Sequence, residues 1–145
     1  SGPLLWTKTN VPTGAFYRGG FTNEVETIGS RYVSTNKPLL NFSNAVVLIE
    51  GANLTDRTTN DVSLSALNKI TATSTNTNKL VLTLNPASGQ VTGSFLNPAT
   101  GKTSPIKSVV LQNQNSVGGF ALGTNESGIF YFGPPENFPH FPPAP

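Results

Sequence analysis

The chain has no cysteine and no methionine, and among its 145 residues there is one histidine, His140, and one tryptophan, Trp6. Without Cys there is no disulfide scaffold, no Cys-based zinc site, no iron–sulfur cluster and no thiol nucleophile. One His excludes a multi-histidine metal site, and its position in a proline-rich terminus gives a Ser-His-Asp triad no support. Charge is equally scarce. Asp, Glu, Lys and Arg make up 11% of the residues, against about 25% in an average soluble protein. Nine basic and seven acidic side chains leave a net charge of +2. The basic residues stand singly, not in the clusters that a phosphate backbone requires, so nucleic acid is not an expected partner. The longest apolar run, Ala45-Val46-Val47-Leu48-Ile49, is far shorter than the ~20 residues of a membrane-spanning helix.

Hydroxyl and amide groups stand in place of charge: 16 Asn, 13 Ser and 18 Thr, about a third of the chain, with 14 Gly and 12 Pro. Solubility then rests on uncharged polar groups. A length of 145 residues suits one domain. The chain starts at Ser1 and holds no Met, so a mature exported chain is expected, with a piece of a longer protein as the alternative.

The apolar pattern has period 2, the mark of half-buried strands. Leu80, Leu82 and Leu84 share one face, and Val91, Gly93 and Phe95 alternate with Thr92 and Ser94. Later strands are expected over residues 106–111, 120–122 and 129–132, and earlier ones near 14–21, 27–33, 39–42 and 45–49. The best helical window, residues 61–70, carries Val62, Leu64, Leu67 and Ile70, but Val62, Leu64 and Ala66 also alternate.

Two turns are near copies twelve residues apart, Asn85-Pro86-Ala87-Ser88-Gly89 and Asn97-Pro98-Ala99-Thr100-Gly101. Proline sets φ early in each turn, Gly takes the positive-φ position that closes it, and the Asn side chain accepts from the backbone two residues on. A strand between them, over residues 90–96, makes an antiparallel meander. Asn113-Gln114-Asn115-Ser116 and Thr124-Asn125-Glu126-Ser127-Gly128 extend the series of turns, Gly118-Gly119 allows a bulge or close approach, and Pro105 belongs at a strand edge or bulge. The expected fold is all-β: an antiparallel β-sandwich or barrel of about nine to eleven short strands with extended N- and C-terminal arms. The expected organisation is an N-terminal extension over 1–13, a single β domain over 14–133 and a Pro-rich tail over 134–145.

Groups for chemistry are thinly spread. Glu24 with Glu26, Asp56 with Asp61, Glu50 and Glu126 are the carboxylates that could pair for glycoside hydrolysis. Surface acids on a polar strand are the simpler reading, so no enzymatic activity is expected. The segment from Asp56 to Asp61 lacks the acidic spacing of a calcium loop. No metal ligand set and no cofactor are expected. Sugar-binding rings could come from Trp6, Phe16, Tyr17, Tyr32, Tyr131, Phe138 and Phe141, most of which a β domain would use in its core. Sequons occur at Asn41, Asn53 and Asn125, with Asn53 and Asn125 in turns and so the plausible glycosylation acceptors.

A set of turns and glycines carries a resemblance. Gly89-Gln90-Val91-Thr92-Gly93-Ser94-Phe95, Asn97-Pro98-Ala99-Thr100-Gly101-Lys102, Val109-Val110-Leu111-Gln112, Gly118-Gly119-Phe120-Ala121-Leu122-Gly123-Thr124 and Ser127-Gly128-Ile129 look like a β-rich module of secreted and surface proteins of environmental bacteria of Verrucomicrobia and Planctomycetes type. Tyr17-Arg18-Gly19-Gly20-Phe21-Thr22 and Ile28-Gly29-Ser30-Arg31-Tyr32 fit the start of such a module. The resemblance implies a bacterial, exported, noncatalytic role. The Pro-rich tail is not part of it.

The expected function is a structural subunit of an extracellular or cell-surface filament, built from copies of this chain joined head to tail. Residues 3–9 would leave their own domain and pair with a sheet edge of the next copy, with Leu4, Leu5 and Trp6 filling apolar sites. Phe138 and Phe141 would anchor the tail along a surface. The alternative is a noncatalytic carbohydrate-binding or spacer module of a larger surface protein, with polysaccharide as partner.

Overall fold

The computed structural model describes residues 1–35, 38–73 and 75–137. Among the described residues the regular structure is ten strands and two short 3-10 helices, Gln112–Gln114 and Pro135–Asn137; the strands are β1 (Gly2–Lys8), β2 (Phe21–Thr27), β3 (Asn44–Gly51), β4 (Thr58–Leu64), β5 (Ile70–Ala72), β6 (Val81–Asn85), β7 (Gln90–Asn97), β8 (Lys102–Leu111), β9 (Ser116–Leu122) and β10 (Ser127–Gly133). Eight form one antiparallel sheet in the order β5-β4-β3-β10-β9-β8-β7-β6, while β1 and β2 form a separate two-stranded sheet. The first and last strands of the large sheet, β5 and β6, approach each other. The sheet is therefore a nearly closed barrel, which settles the choice between barrel and sandwich.

The meander from β6 to β10 follows the turns. Gly89 N–H donates to Asn85 O (2.9 Å) and Gly101 N–H to Asn97 O (2.8 Å), and both glycines have positive φ, 71° and 66°. In the first turn Ala87 N–H donates to Asn85 Oδ1 at 3.0 Å, and in the second Ala99 N–H donates to Asn97 Oδ1 at the same distance. Pro105 lies in β8 where the strand is paired with β7 alone, because the ladder to β9 begins at Ile106. The missing N–H is tolerated on such a one-sided stretch.

Alternation places one face of each strand inward. Val91 and Phe95, Ile106 and Val110, Phe130 and Phe132, Val47 and Ile49 are at most 3% exposed and belong to one core. Burying each such side chain stabilises by roughly 1.5–3 kcal/mol. Residues 61–70 resolve toward the strand reading. Val62 and Leu64 point inward on β4, and β5 begins at Ile70 after a turn. Gly93 lies between β6 and β8 where an added Cβ would strike Val81 O, so no side chain fits.

Three expected strands are not strands. Residues 14–20 are turns, with Gly20 N–H donating to Tyr17 O at 3.0 Å. Residues 28–33 and 38–42 run without strand pairing. Leu39 and Leu40 are nonetheless buried in the core. Their apolar character serves packing, and side-chain amides hold the backbone. The boundary expected between residues 13 and 14 falls inside the β1–β2 unit, and the large sheet starts at Asn44.

Candidate functional site

The N-terminal segment is not a free arm. β1 pairs with β2 of its own chain along its whole length, from Gly2 opposite Thr27 to Lys8 opposite Phe21. Residues 11–20 reverse the chain between them, closed by Val11 N–H to Arg18 O at 2.9 Å and by Lys8 Nζ donating to Tyr17 O at 3.0 Å. Directly opposed residues share a face in an antiparallel pair. One face of the ribbon therefore carries Leu4, Trp6, Phe21 and Val25, and the other carries Pro3, Leu5, Thr7, Thr22, Glu24 and Glu26.

Packing covers little of it. Leu4, Leu5 and Trp6 are 52%, 67% and 56% exposed. Trp6 meets Phe21 edge to face at 5.3 Å between centroids, and Phe21 meets Tyr17 in the same way at 5.3 Å. Tyr17 joins the ribbon to the barrel: its hydroxyl accepts from Ser127 N–H at 2.8 Å and lies 2.9 Å from Ser127 Oγ. Ser127 opens β10, so the ribbon stands at the β9–β10 end of the barrel.

Two open concavities flank this junction. One, of about 360 Å³, is lined by Trp6, Tyr17, Phe21, Asn23, Val25 and Ser127. The other, of about 630 Å³, runs over the outer face of β8, β9 and β10 beneath the ribbon, where Ile28, Val109, Leu111, Gly118, Ile129 and Tyr131 meet Glu26. On that face Tyr131 is opposite Leu48, and both are buried, at 5% and 0% exposure. The Tyr131 hydroxyl donates to Pro134 O at 3.0 Å. Burial, and secondarily the charge of Glu136, raises the Tyr131 pKa above the usual tyrosine value.

Asn53 and Asn125 come together. Asn53 has positive φ, 62°, and its Oδ1 accepts from Thr124 N–H at 2.6 Å and from Asn125 N–H at 3.3 Å. Its Nδ2 donates to Asn125 Oδ1, and Glu126 Oε1 accepts from Asn53 N–H at 2.6 Å. Asn53 thus clamps the β3–β4 turn onto the β9–β10 turn, with its amide nitrogen already engaged.

Other amides act in pairs of bonds that sequence reasoning missed. Gln112 accepts from Val33 N–H at 2.7 Å and donates to Val33 O at 3.2 Å. Asn115 does the same to Asn41, at 2.7 and 3.4 Å. Asn76 does so to Leu80, at 2.7 and 2.9 Å. One side-chain amide presents an acceptor and donors at the spacing of a peptide group, so each replaces a rung of β-ladder. In this way residues 28–35 and 38–42 are held against the barrel without becoming strand. The signal was the density of amides at Gln112-Asn113-Gln114-Asn115. Tyr32 completes the attachment. Its ring lies against Gly89 and its hydroxyl donates to Pro86 O at 2.5 Å.

Glu24 and Glu26 share one face of the ribbon, and Asp56 lies in the β3–β4 loop. Glu24 and Glu26 lie on β2, Glu50 on β3, Asp61 on β4 and Glu126 in the β9–β10 turn, and among the described residues no three His, Asp or Glu side chains form a group that could hold a metal ion. No helix among the described residues is long and apolar enough to cross a membrane. Phe138 and Phe141, expected as tail anchors, and His140 lie outside the described residues. No family model, curated protein or solved structure matches the chain.

Proposed function

We propose that this chain is a structural, noncatalytic subunit of an extracellular bacterial filament, which self-assembles through its N-terminal ribbon. One observation carries the reading. β1 and β2 stand apart from the barrel as a two-stranded ribbon, with Leu4, Leu5 and Trp6 each more than half exposed. A two-stranded ribbon is marginal in water on its own. Exposed apolar side chains on unpaired strand edges are a template for another chain. The barrel offers far less, since its terminal strands β5 and β6 are three and five residues long and lie against each other. The contact therefore involves the ribbon as a whole, in place of a lone donor strand entering the barrel sheet. The hydroxyl- and amide-rich composition, poor in charge, supports the same role outside the cell.

The test is negative-stain microscopy and light scattering on the full chain and on a Leu4→Ser, Leu5→Ser, Trp6→Ser variant. The full chain should form filaments. The variant should stay monomeric with its main unfolding transition retained. Filaments formed equally well by the variant would overturn the reading.

The aromatic concavity favours a second reading. Trp6, Tyr17 and Phe21 gather beside Asn23, which lies directly opposite Trp6, and rings beside an amide suit a sugar face. A monomer whose Trp6 fluorescence shifts on titration with soluble polysaccharide would favour a carbohydrate-binding module.

A further inference from the structure

The larger concavity is an apolar trough on the outer face of the barrel. Val109 on β8 lies directly opposite Gly118 on β9, and Gly118 lies directly opposite Tyr131 on β10. Glycine leaves the middle of this row without a side chain, and an added Cβ there would meet only Leu111, at 3.1 Å. The trough measures about 630 Å³. Val109 and Ile129 at its sides are 52% and 40% exposed. Glu26 is the one charged side chain lining it among the described residues.

The chain itself runs to this trough. After β10 a short turn from Pro134 to Asn137 folds back, with Asn137 N–H donating to Pro134 O at 3.1 Å and the Tyr131 hydroxyl donating to the same oxygen at 3.0 Å. Asn137 lines the trough. It is the last described residue, and Phe138-Pro139-His140-Phe141-Pro142-Pro143-Ala144-Pro145 follow it. The four prolines among these residues lack the N–H that a strand ladder uses, so attachment falls to side chains. A polyproline helix has three residues per turn and rises about 3.1 Å per residue, which sets Phe138 and Phe141 on one side, about 9 Å apart. From β10 to β8 is two strand spacings, also about 9–10 Å. The segment holds no acid, so nothing in it repels Glu26.

We infer that residues 138–145 of the same chain dock in this trough and cross the strands from β10 to β8, with the Phe138 ring beside Ile129 and Tyr131 and the Phe141 ring on Val109. The occupant is the chain's own tail because Asn137 already stands at the trough, so Phe138 enters it with no linker to span. The docking does not rest on the filament reading. It covers a face of the barrel, whereas assembly uses the ribbon.

The absence of cysteine lets a single thiol report on the trough. Val109→Cys is introduced into the full chain, and its alkylation by iodoacetamide is timed by mass spectrometry at a concentration where light scattering shows monomer. The rate should rise several-fold when Phe138→Ser and Phe141→Ser are added. A thiol placed by Val81→Cys on β6, where the side chain is 61% exposed, should react at the same rate with and without the two tail substitutions. An unchanged rate at position 109, or an equal rise at both positions, overturns the docking. A second measurement tests whose tail it is. The Val109→Cys, Phe138→Ser, Phe141→Ser chain is mixed with an excess of thiol-free chains whose tails are intact, and its rate should stay high. Protection restored by the added chains assigns the trough to the tail of a second copy and overturns docking of the chain's own.

Discussion

Asn60 on β4 and Asn78, just before β6, bond to each other twice. Nδ2 of Asn60 donates to Oδ1 of Asn78 at 3.0 Å, and Nδ2 of Asn78 donates to Oδ1 of Asn60 at 2.9 Å. Both are buried, at 4% and 7% exposure. The pair bridges the place where the sheet comes round to meet itself, and Asn78 O also accepts from Leu96 N–H at 2.6 Å. Two side chains thus close a barrel that strand pairing leaves open.

Removing one amide strands the other in an apolar interior. Asn60→Ala or Asn78→Ala should each destabilise the fold by about 1–3 kcal/mol. The double variant should lose less than the sum of the two, with a coupling of roughly 0.5–3 kcal/mol. Urea unfolding of the four proteins in a double-mutant cycle measures both quantities.

Gly93 and Gly101 should respond differently to substitution. At Gly93 a Cβ would collide with Val81 O across the strand. Gly93→Ala should therefore cost about 1–3 kcal/mol through forced backbone displacement. At Gly101 nothing lies within 4 Å but φ is +66°. Gly101→Ala should cost about 1–2 kcal/mol from left-handed backbone strain, and Gly101→Asn less. Thermal unfolding midpoints of the three variants separate a space requirement from a conformational one.

Alkaline pH should weaken the fold through Tyr131. Its folded pKa is raised, first by burial and then by Glu136, so the folded state holds the phenolic proton more tightly than the unfolded chain. The associated stability is complete below the unfolded value of about 10 and is lost as pH rises through the folded one. Tyr131→Phe should flatten the fall above about pH 10 and, by stripping the bond to Pro134 O, lower stability at neutral pH by about 1 kcal/mol. Denaturant titrations from pH 7 upward on both proteins test the difference.

The two glycosylation sequons in turns should be unequal in the folded protein. Asn53 Nδ2 is engaged with Asn125, and its Oδ1 holds two backbone donors, whereas Asn125 is exposed and uses only its oxygen in that contact. A purified N-glycosyltransferase acting on folded chain should modify Asn125 in preference to Asn53, read by glycopeptide mass spectrometry. Asn53→Ala should destabilise by about 0.5–1.5 kcal/mol, because the exposed side-chain bonds joining the two turns are lost.

What the sequence determined by itself is local. The all-β class and the β6–β10 meander follow from period-2 alternation and from Asn-Pro-x-x-Gly turns, where each residue's conformational preference acts on its immediate neighbours. The cluster Leu4, Leu5 and Trp6 was also conspicuous in so polar a chain, whereas its exposure on a two-stranded ribbon was decided by the tertiary structure. Long-range pairing was left to the tertiary structure. That β3 lies beside β10 is a match across some eighty residues, decided by which apolar faces bury together and invisible to any short window. For the same reason the stretches 27–33 and 39–42 read as strands, yet 28–33 and 39–42 are loops: amides from Gln112 and Asn115 take the bonds that a neighbouring strand would have supplied. The Asn content that first stood out only as a substitute for missing charge is thus partly structural. Amides such as Gln112, Asn115 and Asn76 replace backbone rungs, since one side-chain amide offers both the donor and the acceptor that a β-ladder needs, while Asn60 and Asn78 bond side chain to side chain.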